Sequence, residues 1–150
     1  MNESFVRVLA AKQKHLLRWK PVFRLYQSTT EAELSTVEQQ LGCKLPSDLR
    51  EWLLQAGFGD INDDLAFRRE WFRRDSEGPF AGLVFFAQDI LGNFYAFEPS
   101  SGSITFISRT APECGVISPS FASFMEELER REFKLIAWVD SFNLRPYAAA

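Results

Sequence analysis

The sequence predicts an α+β fold on two observations: strand-like runs are massed between residues 65 and 108, and helix signals lie at both ends of the chain. Its 150 residues match one domain spanning 1–150, with no internal repeat and no low-complexity segment.

The first helix is predicted over residues 3–19. Phe5, Val8, Leu9, Leu16 and Trp19 recur at helical spacing, while Lys12, Lys14 and Arg18 fall largely on the wet side. Pro21 stops the run, because the residue before a proline is pushed out of helical geometry. Val22–Tyr26 reads as extended or loop-like. The second helix has a sharper start, a capping box of Thr30 and Glu33 in which each residue satisfies an amide of the other's turn. Leu34, Val37, Glu38 and Leu41 continue it, and Gly42 supplies the left-handed residue that ends it. A third helix runs from about Pro46 to Ala56, since proline in a first turn loses no useful hydrogen bond. Leu49, Trp52, Leu53 and Ala56 form its buried face and Gly57 closes it.

The period then changes. Leu65, Phe67, Arg69, Trp71 and Arg73 alternate, which predicts a half-exposed strand. Gly82–Ala87, including Phe86, is a buried strand. Asp89 to Gly92 is a hairpin loop, with Asp89 bonding its own backbone and Gly92 accepting positive φ. Asn93–Phe97 returns, residues 99–102 turn, Ser103–Ser108 is a further strand, and 109–118 is a loop. Ser118-Pro119 opens a last helix carrying Phe121, Phe124, Met125 and Leu128. Residues 132–138 either extend it or begin another, and Pro146 with the closing alanines reads as loose.

Composition narrows the chemistry. Hydrophobic residues make up 46% and charged residues 25%, an ordinary globular mixture. Fifteen Phe beside four Trp and three Tyr exceed what a small core needs, so some aromatics are expected at the surface, where they favour protein contacts. The net charge of −3 speaks against a general nucleic-acid binder. It is unevenly spread, with residues 1–28 at +5 and 29–64 at −6. Two cysteines, Cys43 and Cys114, make no secreted-type disulfide framework. No signal-peptide core and no run of about 18 apolar residues is present. The expected setting is cytoplasmic, without membrane attachment.

Catalytic and metal inventories are thin. Zinc sites draw on about three or four suitable ligands, and the one histidine, His15, reads as a solvated helix residue. Cys43 and Cys114 read as small packing residues. No Ser-His or Cys-His pair is indicated, the Asp89 loop lacks the ligand spacing of a calcium or phosphate loop, and no catalytic residue, cofactor or metal is expected.

The ordered set Thr30/Glu33, Glu38, Leu41-Gly42, Leu45-Pro46, Trp52, Gly57/Gly59, Phe85-Phe86, Asp89, Gly92 and Ser120-Phe121 with Phe124 resembles the SUKH superfamily from about Thr30 to Leu128. That superfamily groups a yeast cell-wall assembly regulator with bacterial toxin-immunity proteins. The resemblance implies a mixed, mostly antiparallel central sheet with helices packed against it. It also implies a non-catalytic role: binding and blocking a cognate polymorphic toxin, often a nuclease, or acting as an intracellular regulatory scaffold. A small hydrolase or nucleotide-binding enzyme is the remaining class, and it lacks a residue set. The segment Arg68-Arg69-Glu70-Trp71-Phe72-Arg73-Arg74 matches no pattern of the superfamily.

Glu38 is expected to be half buried and bonded to backbone amides near Leu45-Pro46 as a clasp, with a partner contact as the other reading. Asp60, Asp63 and Asp64 read as an acidic loop, either a solvated turn or a surface that steers a basic protein. Arg69, Trp71 and Arg73 sit on an edge strand guarded by charge, on a protein hot spot, or on a nucleic-acid surface. Both groups are candidate contacts for a protein partner.

Overall fold

The computed structural model of the chain describes residues 2–110 and 112–147. Helix α1 (Glu3–Ala10) starts where the Asn2 side chain accepts the amides of Ser4 and Phe5. It ends nine residues short of its predicted limit. Residues 12–21 form a hairpin instead, strand β1 (Lys12–His15) pairing antiparallel with β2 (Arg18–Pro21). The helical spacing of Phe5 and Val8 reflects real burial, but Leu16 and Trp19 find nothing to pack against and stay exposed. A short helix without a buried face is not stable in water, so the chain turns back and the Val22 amide donates to the Ala11 carbonyl at the hairpin base (2.9 Å).

Strand β3 (Phe23–Gln27) leads to α2 (Glu31–Leu41), where the Thr30 hydroxyl accepts the Glu33 amide. The Glu33 carboxylate meets the Thr29 hydroxyl. Gly42, at φ 72°, ends the helix in the left-handed region that only glycine enters cheaply. Helix α3 (Ser47–Ala56) follows. The expected strand over 65–73 is broken into β5 (Leu65–Ala66), a 3-10 turn (Arg69–Trp71) and β6 (Arg73–Arg74). Its alternation holds only for Leu65 and Phe67, both fully buried; beyond them the chain turns to carry its arginines outward. Strands β4 (Phe58–Ile61), β7 (Val84–Asp89), β8 (Phe94–Phe97), β9 (Ile104–Ile107) and β10 (Glu113–Ser118) complete the main sheet with a short β11 (Arg145–Pro146). The expected loop at 109–118 is therefore largely strand: Cys114, Gly115 and Val116 pair with Ile107, Phe106 and Thr105. Pro146 is paired with Glu113, and the closing alanines lie outside the described residues.

The sheet runs β11-β10-β9-β8-β7-β5-β4-β3, with β6 alongside β7, and its ladders are antiparallel. Helices α1, α3 and α4 (Phe121–Arg130) cover one face. There Trp52 meets Phe5 and Phe23 edge-on (5.4 Å each), while Phe121 touches Phe67 and Phe86. A separate helix α5 (Leu135–Val139) adds Leu135, Trp138 and Val139 to this core, with Trp138 stacked on Phe124.

The opposite face is divided. Cross-strand register places Arg24, Asp60, Ala66, Gln88, Phe94, Ile107 and Cys114 in one row across it. Toward β8–β10, a small apolar cluster of Phe85, Ala96 and Ile107 is roofed by Phe80, Leu83 and Tyr147. Toward β3–β5 the face is open.

Candidate partner-binding face

Asp60 sits at the centre of the open half. The acidic-loop reading of this residue is corrected: Asp60 is on β4, paired with β3 and β5, and only 3% exposed, because the Arg24 and Tyr26 side chains and the Asp63 amide close on its carboxylate. Gly59 makes this close approach possible, since a Cβ there would lie 2.1 Å from the Arg24 carbonyl oxygen. The Asp60 carboxylate accepts from Arg24 Nε (2.9 Å), from the Tyr26 hydroxyl and from the Asp63 amide (3.2 Å). A buried carboxylate is tolerable only with such partners. Burial, and then donation to Asp60, pushes the Tyr26 hydroxyl above its ordinary pKa.

This clasp fixes an aromatic and cationic platform. The Arg68 guanidinium lies 4.4 Å from the Tyr26 ring centroid and 5.5 Å from that of Trp71. Both are cation–π distances, and they bring the arginine run together with β3. Arg73 stands over Phe85 at 4.5 Å and pairs with Asp75 at 3.1 Å. Arg69 and Trp71 bound the 3-10 turn, both half-buried.

Asp63 and Asp64 belong to the tight β4–β5 turn, with Asn62 and Asp63 at φ 57° and 56°. Asn62 Nδ2 donates to the Phe133 carbonyl (3.2 Å) and the Ile90 amide donates to the Asp64 carbonyl (2.8 Å), so the turn is held from two sides. Asp63 is exposed; Asp64 is half-buried, and burial first, then the charges of Asp89 and Asp63, raise its pKa above the ordinary carboxylate value. An open concavity of about 370 Å³ unites Asp60, Asp63, Asp64, Arg68, Trp71 and Ile90. Arg73 lies beside it, around a smaller depression shared with Trp71. Arg69 lines neither.

Other residues singled out by the sequence act in folding. The Leu45 amide donates to Glu38 Oε2 (2.8 Å), with Arg50 Nε 3.5 Å from the other oxygen; this joins α2 to the Leu45-Pro46 entrance of α3. Asp89 Oδ1 accepts the amides of Leu91 and Asn93, and Oδ2 accepts from Asn93 Nδ2 and the Tyr95 hydroxyl, which closes the β7–β8 turn around Gly92 (φ 83°). Phe86 is fully buried against Phe67 and Phe121. His15, expected on a helix, is exposed on β1, and Cys43 and Cys114 are half-buried free thiols. Among the described residues no group of three or more His, Cys, Asp or Glu could hold a metal ion, and no helix is long and apolar enough to cross a membrane. Sequence reasoning missed Arg24, Tyr26 and Ile90, which reach the site through strand pairing and a turn; the exposed aromatic excess was the one signal pointing to such residues.

An antiparallel sheet with helices on one face and an aromatic, charged platform left open on the other defines an α+β protein with a built surface. The chain belongs to the SMI1 / KNR4 family (SUKH-1), whose model matches residues 28–127. No curated protein and no solved structure matches it.

Proposed function

We propose that this chain is a non-catalytic immunity protein of the SUKH type, which neutralises a cognate bacterial toxin by seating its open sheet face on it. The observation that carries this reading is the Tyr26–Arg68–Trp71 platform, held in place by the Asp60 clasp and flanked by Asp63 and Asp64. Trp, Tyr and Arg are the residues in which interface binding energy concentrates, and preorganised side chains lose little freedom on binding. Family membership supports the reading, because the SUKH resemblance implies protein binding. Asp63 and Asp64 steer a basic partner such as a nuclease, while the platform anchors it. A protective complex calls for nanomolar affinity, about −12 kcal/mol, within reach of an ordinary interface with a few such anchors.

The test is co-expression with the polypeptide encoded by the neighbouring open reading frame, followed by co-purification, growth rescue and binding kinetics. Trp71→Ala is expected to speed dissociation about tenfold or more. Asp63→Lys with Asp64→Lys is expected to slow association, most at low salt. Kinetics unchanged by either variant would remove the face from the proposal. Rescue without a direct complex, together with capture of several host proteins, would favour the regulatory scaffold that the SUKH resemblance also implies.

A further inference from the structure

The β1–β2 hairpin is the feature this reading leaves unused. It stands outside the residues the family model matches, and it pairs with no strand of the main sheet. Its two-residue tip is Leu16-Leu17, 92% and 93% exposed, with Trp19 behind it at 64%. Leu16 has φ 58°, in a tight turn where glycine or asparagine is the economical choice. A leucine here strains the backbone and exposes apolar surface together, and folding explains neither. Strain kept at an exposed position points to function.

Charge and position indicate what covers the tip. Lys12, Lys14, Arg18 and Lys20 give the hairpin four cations and no carboxylate. None of the four has an ion-pair partner among the described residues. Register sets Lys12 and Lys14 on one face of the hairpin and Arg18 and Lys20 on the other, so both faces behind the apolar tip carry positive charge. At its base, a groove of about 540 Å³ runs from Lys14, His15 and Lys20 to Arg24, Asp63 and Asp64. Arg24, Asp60, Asp63 and Asp64 also line the concavity on the open face. The hairpin and the face therefore border one continuous surface.

Resting on the proposed function, we infer that the hairpin is a docking arm for the same protein partner, inserting Leu16 and Leu17 into an apolar pocket rimmed by carboxylates. Its cations match those carboxylates, while Asp63 and Asp64 match basic groups nearby, so the two halves of the surface read opposite charges and fix orientation. A protein of limited size is favoured over an anionic bilayer. Outside residues 12–21 the chain carries a net −7, which a charged plane would repel and a local contact would avoid. Placed outside the family-matched region, the arm is suited to selecting one partner among many.

The test compares the wild type, a Leu16→Gly/Leu17→Ser chain and an Asp63→Lys/Asp64→Lys chain, using the polypeptide from the neighbouring open reading frame as the probe. The tip variant is expected to bind about tenfold more weakly or worse, mainly through faster dissociation. Its unfolding midpoint is expected to hold or rise, because glycine relieves the turn. Amide exchange over residues 12–21 is expected to slow in the wild-type complex. Undiminished affinity and an unprotected arm, with binding still weakened by the Asp63/Asp64 variant, would sink the arm and leave the proposed function standing. No complex with the wild type would sink both. Arm-dependent binding to vesicles of equal parts phosphatidylglycerol and phosphatidylcholine, or an arm-dependent dimer in sedimentation, would also overturn the proposal by assigning the tip a bilayer or a second copy.

Discussion

The two halves of the outer sheet face solve one problem in opposite ways. Around β8–β10, Phe85, Ala96 and Ile107 lie under Phe80, Leu83 and Tyr147, so the chain supplies its own cover. Around β3–β5, the same face carries Arg24, Tyr26 and Asp60, with Arg68 and Trp71 beside them, around an open concavity. The difference is chemical. Phenylalanine and isoleucine on a sheet must be buried, whereas arginine over tyrosine and tryptophan keeps its charge wet while shielding the rings beneath. One half spends its aromatics on stability, and the other leaves them half-exposed beneath arginine.

The largest expected effect breaks the covered half. Phe85→Ala removes a ring that meets Phe80 at 6.1 Å, Phe94 at 5.7 Å and the Arg73 guanidinium at 4.5 Å. A loss of about 3 kcal/mol is expected for such a truncation, read from the midpoint of urea unfolding. Partner affinity of the folded fraction is expected to fall less than on Trp71→Ala, since Phe85 reaches the open half only through Arg73 and the depression beside Trp71. A large fall in affinity with little loss of stability would mean the cover is part of the interface and would erase the distinction between the halves.

A smaller effect is expected at the boundary between stability and binding. Asp60→Asn weakens the charge-assisted bond to Arg24 and the bond from Tyr26. Because Arg24 is two-thirds exposed and water can replace its partner, the expected cost is only about 1–2 kcal/mol. Affinity is expected to fall as well, since the platform loses its fixed base, and Trp71→Ala should then add less in this background than alone. Full additivity of the two substitutions in a double-mutant cycle would show that Asp60 does not position the platform.

The sequence made some of this legible and hid the rest for identifiable reasons. The α2 start at Thr30, its Gly42 stop, the Glu38 clasp to Leu45 and the Asp89 turn are local arrangements, their partners at most seven positions apart, so residue types and spacing suffice to foresee them. The open face depends on pairing residue 24 with residue 60 and residue 66 with residue 88, and no spacing rule contains those registers. That is why residue types alone place Asp60 in a loop and do not single out Tyr26. The helix expected through Trp19 failed for a related cause: periodicity reports which residues would share a face, and says nothing of whether a core exists for that face to meet. Leu16 and Trp19 fit the pattern and stay largely in solvent.

The smallest expected effect sharpens the open half through pH. Asp64 has its carboxyl pKa raised in the fold, by burial first and by Asp89 and Asp63 next. A group that binds its proton more tightly when folded contributes stability below its unfolded pKa, and loses that contribution as pH rises through the higher folded value. At neutral pH the ionised Asp64 is therefore a mild strain on the turn, the reverse of Asp60 with its satisfied carboxylate. Asp64→Asn is expected to raise stability by a few tenths of a kcal/mol near pH 7 and to flatten the stability profile across the interval just above the ordinary carboxylate pKa. Partner association should slow slightly at the same time, because one steering charge is gone. A variant less stable than wild type at pH 7 would mean that ionised Asp64 is a structural group like Asp60. The open half would then be built from two clasps, leaving Asp63 as the only carboxylate of the turn free to face a partner.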